Sequence, residues 1–400
     1  MDARTGLPVV GMVGAGQLAR MTAQAAIALG QSLRVLADSA DDGAALVSAG
    51  VFVGDYGSLP DLRAFAATCD VVTFDHEQVP NAHILALAES GVTVQPSAAA
   101  LRFAQDKAAM RHRLAELGIP APRWRDLRTA AEPLRALADF GTEVGWPLVL
   151  KAVTGGYDGK GVWVVGSLAE AADLLASGTP LLAEEKVAIV RELAADVARS
   201  PFGQGAVWPV VETVQSDGIC VEVIAPAPRL SQELAEEGQL IALTLARELG
   251  VVGVLAVELF EVAPTRADPG SPYTGRLIVN ELAMRPHNSA HWTIEGARTS
   301  QFEQHLRAVL DYPLGATTQT APVVVMANLL AGPDDVVPKG IDERVHHCMA
   351  RWPDVKIHLY GKEFRPGRKV GHVTALGDEL DDVRARARAA ADYLANGERT

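Results

Sequence analysis

Residues 280–292, Asn-Glu-Leu-Ala-Met-Arg-Pro-His-Asn-Ser-Ala-His-Trp, put two amides, a carboxylate, a guanidinium and two imidazoles into one short stretch. The apolar run Leu277-Ile278-Val279 leads into it, and Pro286 forbids helix just after. The spacing therefore predicts a buried strand that delivers Asn280, Glu281 and Arg285 to one edge of a sheet, followed at once by His287 and Asn288. A solvated strand end would also be rich in Asn, Arg and His, but a second stretch argues against that reading. Residues 251–262 are strongly apolar and β-rich, yet Glu258 sits inside them. A carboxylate there is costly unless paired with a cation or bound to a metal. Glu258 and Glu281 on neighbouring strands, with Asn280 beside them, make a hard-oxygen site suited to Mg²⁺, and such a site calls for a polyphosphate.

Cationic side chains occur where a polyphosphate would need them. Lys151 lies near the end of a predicted strand, residues 146–153, and Thr154-Gly155-Gly156-Tyr157-Asp158-Gly159-Lys160-Gly161 joins it to another strand, 162–165. A glycine-rich turn between two strands can close its amides over anionic oxygens. It is not the P-loop, because GxxxxGK[ST] is absent and no helix follows the glycines directly. Lys107 and Arg111 stand one turn apart on a helix predicted over 96–117. The strand at 181–187 carries Glu184 and Glu185, with Glu192 on the next; such acids can bind an amino group and a ribose hydroxyl, or simply face solvent. Lys362, Arg365, Arg368 and Lys369 crowd one stretch interrupted by Pro366 and Gly367, a fixed turn fit to present cations to a phosphate.

Around these groups the chain alternates strands and helices. Residues 8–13, 33–37, 51–53, 71–74 and 92–94 read as strands, with helices over 17–29, 59–68 and 81–89, which gives a parallel, helix-flanked sheet. Its first turn, Gly14-Ala15-Gly16-Gln17-Leu18-Ala19, fits the dinucleotide pattern, and Asp38 closes the second strand where a ribose-binding acid would sit. Those residues support a rival reading, a nicotinamide-dependent oxidoreductase. Asp75-His76-Glu77 follows the fourth strand at the edge where ligands of open sheets bind. Helices are expected over 231–249, 301–310 and 379–395, and strands over 323–328, 356–360 and 370–374. Residues 313–322 read as a linker.

At 400 residues two to three domains are expected. A net charge of −13 argues against a general nucleic-acid surface, though not against a local basic pocket. The three cysteines, Cys69, Cys220 and Cys348, form no metal-ligand spacing and suit a reducing compartment. No stretch approaches the ~20 apolar residues of a membrane span or the pattern of a signal peptide, so the cytoplasm is expected.

An α/β amino-terminal domain, a small glycine-flap domain with a strand-end lysine, and paired carboxylates on late strands together resemble the ATP-grasp ligases. The motifs VLKAVTGGYDGKGVW, VNELAMRPHNSAHWT and RPGRKVGH resemble, more narrowly, the N5-carboxyaminoimidazole ribonucleotide synthetases (PurK) of purine biosynthesis, over nearly the whole chain. The resemblance implies a Rossmann-like pre-ATP-grasp domain (1–105), α/β in class, followed by α+β units: a linker helix and flap domain (106–188), a large ATP-grasp domain with the metal carboxylates (189–312), and a small β-rich C-terminal domain that completes the substrate pocket (313–400).

The resemblance also implies site residues. ATP would meet Lys107, Lys151, the turn from Gly156 through Tyr157, Asp158, Gly159, Lys160 and Gly161 to Val162, then Glu184, Glu185, Lys186, Val187, Glu192, Gln215, Asn280 and Glu281. Mg²⁺ would be bound by Glu258 and Glu281. Aminoimidazole ribonucleotide would lie against Gln17, Leu18, Glu77, Tyr157, Lys160, Arg285, His287, Asn288, Lys362, Arg365, Arg368 and Lys369. Arg285, Lys151, Asp158 and His287 would act in catalysis. The family often has arginine where Lys107 and Lys160 stand, which costs the bidentate fork. It commonly has histidine where Gln215 stands. The implied reaction is carboxylation of the ribonucleotide by bicarbonate, phosphorylated first by ATP to carboxyphosphate. A homodimer that hands its product to a mutase is the expected setting. The alternatives are another ATP-grasp ligase, such as a formate-dependent ribonucleotide transformylase or a biotin carboxylase, and a non-catalytic ATP-binding regulator.

Overall fold

The computed structural model describes residues 1–156, 160–263, 275–332 and 340–397. Among these, three sheets organise the chain. The first is parallel, in the order β3-β2-β1-β4, from β1 (Val9–Val13), β2 (Ser32–Ala37), β3 (Gly50–Val53) and β4 (Val71–Phe74). The fifth strand expected at 92–94 is absent: Val94 makes a single bridge to Val72, and the chain turns away after Gln95 bonds Val72. The second sheet is antiparallel, in the order β5-β8-β6-β7, from β5 (Trp124–Asp126), β6 (Leu148–Ala152), β7 (Val162–Val165) and β8 (Leu181–Glu185).

The third sheet holds β9 (Ile189–Arg199), β10 (Gly205–Val207), β11 (Val211–Ser216), β12 (Ile219–Ala225), β13 (Gly253–Val262), β14 (Arg276–Ala283), β15 (Val323–Leu330), β16 (Lys356–Leu359) and β17 (Lys369–Gly377). Its order is β14-β13-β9-β11-β12-β15-β17-β16, all antiparallel, with β10 on β9. The last three strands thus extend the sheet that carries Glu258 and Glu281. One acid in the interior of that sheet secures the packing of the final helix, Leu380–Asn396: the buried Glu222 of β12 receives both Arg384 and Arg388.

The helix expected over 96–117 is two helices, Ala98–Gln105 and Lys107–Glu116. Asp106 leaves helical geometry, caps the second helix by accepting the Ala109 N–H at 2.8 Å, and receives Arg128 at 2.8 Å. The break frees the Lys107 N–H to bond Val153 O at the end of β6. Lys107 is thereby brought to the strand that bears Lys151. One apolar core runs from Val13, Phe65 and Phe74 through Leu101, Met110 and Leu114 to Leu255, Val257 and Val279, so the first sheet is joined to β13 and β14 through the two helices between them. No helix among the described residues is long and apolar enough to cross a membrane.

The short helix Thr293–Gly296 that follows the His287 segment lies close on β15. A Cβ at Gly296 would fall 2.6 Å from Trp292 and 2.8 Å from Val324. Gly296→Ala should destabilise the chain by ~1–3 kcal/mol through overpacking. Unfolding in urea measures this; an unchanged midpoint would mean that the segment yields freely.

Candidate active site

Strand register places the two metal-class carboxylates together. Glu258 of β13 pairs directly with Glu281 of β14, and a bulge follows Glu258. Asn280 donates to Glu258 Oε2 at 3.3 Å, and His287 Nε2 lies 3.4 Å from Glu258 Oε1. Burial, then the negative neighbours Glu281 and Glu192, push the Glu258 carboxyl up to about 7. Two facing, half-buried acids this close cannot both ionise cheaply without a cation between them.

Cations surround the pair. Lys107 Nζ is 3.2 Å from Glu281 Oε1. Lys151, buried at the end of β6, donates to Asn280 Oδ1 at 2.9 Å and pairs with Glu184 Oε2 at 2.9 Å. The other Glu184 oxygen takes the Arg111 Nε at 2.7 Å, while Arg111 Nη2 donates to the Asn280 carbonyl at 2.8 Å. Burial alone would raise the Glu184 carboxyl, but Arg111 and Lys151 outweigh it and hold it at about 2. This is a difference from expectation: Glu184 faces two cations, not an open nucleotide edge. The strand expected to reach 187 ends at Glu185, whose Oε1 accepts the Arg123 N–H at 2.8 Å, and Lys186 lies exposed beyond it with Val187 half-buried. Glu192, raised by burial, is hydrogen-bonded to Gln215.

A second group of residues gathers beside the first. Arg285 donates through Nε to Glu77 Oε2 at 2.8 Å, tying the loop after β14 to the loop after β4. Lys362 donates to Gln17 Oε1, which fastens the basic turn to the first helix, Gln17–Ala28. Burial, then Arg285 and Lys369, pull the His287 imidazole down to about 3, so this ring is neutral. Asn288 is buried beside it. Two expected contacts differ. The Leu18 side chain is core, packed with Met21, Phe302 and Tyr360, so only its backbone can face a ligand. Arg365 is turned outward onto exposed Glu363, and Arg368 donates to the Glu363 carbonyl at 3.3 Å. In the glycine turn, Gly156 and Gly161 take left-handed backbone (φ +82° and +77°), and a Cβ at Gly156 would meet Lys160 O at 2.6 Å. Lys160 and Val162 are exposed. Tyr157, Asp158 and Gly159 lie outside the described residues.

The chain matches three family models in succession: the ribonucleotide synthetase preATP-grasp domain over 7–105, the ATP-grasp domain over 112–302, and the phosphoribosylaminoimidazole carboxylase C-terminal domain over 324–386. It is 56% identical to the N5-carboxyaminoimidazole ribonucleotide synthase of Mycobacterium tuberculosis over 394 residues, 98% of this chain and 88% of that one. The Corynebacterium ammoniagenes enzyme of the same name is 48% identical, covering 98% of this chain and 93% of its own. Among solved structures, the synthetase from Thermus thermophilus superposes with a TM-score of 0.82 at 34% identity, covering 98% and 99% of the two chains. The Aspergillus clavatus synthase in complex with ADP and 5-aminoimidazole ribonucleotide gives 0.83 at 32%, covering 97% and 98%.

The chain belongs to the N5-carboxyaminoimidazole ribonucleotide synthase family. Membership overturns the nicotinamide reading of the Gly14–Ala19 turn, and the geometry supplies the reason for its glycines. The Gly16 N–H donates to Asp75, and a Cβ at Gly14 or Gly16 would fall 2.8 Å or 2.6 Å from Asp75. The glycines serve close packing against Asp75 and His76. Sequence reasoning noticed Arg111 by its spacing from Lys107 but gave it no role. Asp196 and Gln301 carry no signal in the sequence, because a single polar residue in a strand or helix makes no pattern, and Ser289 is visible only as a member of the 280–292 stretch.

Two outcomes follow from these ion pairs. Arg111→Met should destabilise by ~3–5 kcal/mol, the usual cost of breaking a buried pair from one side, and Glu184→Gln added to it should recover part of the loss. Urea unfolding of the single and double variants checks this; a single-variant loss below ~1 kcal/mol would contradict a desolvated pair. Glu258 has a raised folded-state pKa, so its contribution to stability in metal-free protein is full below about 4.5 and is lost as pH rises through about 7. Glu258→Gln should flatten the stability profile across that window. Superimposable profiles would place the Glu258 carboxyl in water.

Proposed function

We propose that this chain catalyses ATP-dependent carboxylation of 5-aminoimidazole ribonucleotide by bicarbonate, forming N5-carboxyaminoimidazole ribonucleotide, ADP and phosphate through carboxyphosphate. The observation that carries the reading is the facing pair Glu258–Glu281 ringed by Lys107, Lys151 and Arg285. Among the described residues no cluster of three or more His, Cys, Asp or Glu side chains stands ready to hold an ion. That suits Mg²⁺, which is usually bound by one or two carboxylates and completed by substrate phosphates. Glu258 and Glu281 would hold it, and the burial and repulsion that together raise Glu258 are the misfit it would relieve. When bound, Mg²⁺ neutralises charge on the phosphoryl oxygens.

The residues then divide the work. Lys107 and Lys151 hold the nucleotide phosphates, with Asn280 fixing Lys151. Glu185, Lys186, Val187 and Glu192, with Gln215 against Glu192, frame adenine and ribose. The Gly156–Gly161 turn covers the phosphates and keeps water from an intermediate that hydrolyses. Arg285, fixed by Glu77, presents its guanidinium to the transferring phosphoryl group. Bicarbonate oxygen attacks the γ-phosphorus and ADP leaves; carboxyphosphate then gives up CO₂ to the exocyclic amine, and the departing phosphate takes the amine's proton. Gln17, Lys362, Arg368 and Lys369 receive the ribonucleotide phosphate; from the resemblance Tyr157 and Lys160 are assigned to the same pocket, and Asp158 to ATP and catalysis. Arg365 is left with Glu363.

The resemblance also supports a cytoplasmic homodimer whose product passes to a mutase. Units 1–105, 106–188, 189–312 and 313–400 remain our division of the chain, with β12–β15 pairing across the last border.

ADP and carboxylated product measured in one reaction test this reading. ADP release should depend on both bicarbonate and the ribonucleotide and match product one for one; release indifferent to either would refute it. Arg285→Lys should cut kcat more than either KM, because the fixed fork is lost while the charge stays. Unchanged kcat would reduce Arg285 to a structural partner of Glu77.

A further inference from the structure

Asp196 sits in mid-β9 with a carboxylate 1% exposed, and its only side-chain partner among the described residues is Ser289, itself 1% exposed. Among the described residues no cation faces it, so the ionised form is costly there and burial pushes the carboxyl up to about 7. Ser289 Oγ lies 3.0 and 3.1 Å from the two Asp196 oxygens and 2.9 Å from His287 Nδ1. A hydroxyl has one proton, so it can satisfy Asp196 or His287 as donor, not both.

Two further contacts of the ring decide the direction. The Ser289 backbone N–H points at His287 Nδ1 from 3.4 Å, which requires a lone pair on that nitrogen. His287 Nε2 stands 3.4 Å from Glu258 Oε1, so a proton on Nε2 faces that carboxylate whenever it is ionised. Both are met when Ser289 donates to Nδ1 and Asp196, as the acid, donates to Ser289. The backbone at His287 is independently clamped, since Gln301 Oε1 accepts its N–H at 2.7 Å and Gln301 Nε2 donates to its carbonyl at 2.8 Å. Only the ring's orientation and tautomer are left to be set.

We propose that Asp196 and Ser289 are positioning residues that lock His287 in the neutral tautomer presenting Nε2–H to the active site. His287 then works as a fixed N–H donor to an anionic oxygen and not as a base. This deepens the function proposed above and rests on it for the identity of that oxygen.

The test reads the free chain labelled with ¹⁵N-histidine, the His287 signal being assigned by its loss in His287→Gln. The unsubstituted chain should show Nδ1 unprotonated and Nε2 protonated. Asp196→Asn should preserve both that pattern and kcat, because an amide N–H can donate to Ser289 as the acid does. Ser289→Ala should leave a mixture of tautomers and lower kcat toward the ~100-fold cost of losing one aligned donor, with KM for ATP unchanged. An Nδ1–H tautomer in the unsubstituted chain overturns the proposal. So does an Asp196→Asn variant that folds but flips the tautomer and loses ~10⁴ in kcat, the signature of a carboxylate that must be ionised. If Asp196→Asn does not fold, the Ser289→Ala spectrum decides alone, an unaltered tautomer counting against the relay. The spectra need no substrate, so they stand whatever the carboxylation assay returns.

Discussion

Glu184 is held between Arg111 and Lys151 in a place that water does not reach, and the rest of the site depends on that arrangement. One carboxylate against two cations leaves a surplus positive charge, and the strand β14 absorbs it through the carbonyl and side-chain oxygens of Asn280. Four separate pieces of chain are thereby joined: the Lys107–Glu116 helix, β6, β8 and β14. Charges ~4 Å apart interact by about 4 kcal/mol even at the effective dielectric typical of proteins, enough to fix their relative positions. Remove the acid, and the two cations would repel each other across a buried space.

Beside this cationic knot lies its opposite, the facing acids Glu258 and Glu281. A surplus of positive charge on β6 and the Lys107–Glu116 helix confronts a surplus of negative charge on β13 and β14, with Lys107 reaching across to Glu281. A polyphosphate with a divalent cation matches both halves at once. The third party is Arg285, which is held by an acid from the first sheet and so ties that sheet's ligand edge to the chemistry. The shared core between the first sheet and β13–β14 keeps this last contact in register.

Much of the site was legible because its residues interrupt strong patterns. Glu258 and Glu281 stand out in apolar strands, and Lys151 stands near the end of another. What the sequence did not reveal is whatever depends on a partner distant along the chain. Asp106 breaks a continuous helical pattern because Arg128 and Val153 offer its neighbourhood other bonds. Glu184 looks like a ligand-binding strand end until Arg111 is found 73 residues away against it. The late strands read as a separate small unit, since nothing local in residues 323–328 announces pairing with β12.

The central claim is that this geometry activates bicarbonate by phosphorylation, and isotope transfer tests it most directly. With ¹⁸O-bicarbonate, the attacking oxygen becomes the bridge of carboxyphosphate and stays with phosphorus when carbon is released. The inorganic phosphate formed should therefore carry one ¹⁸O from bicarbonate per product. Phosphate free of label, with product still formed, would contradict the account.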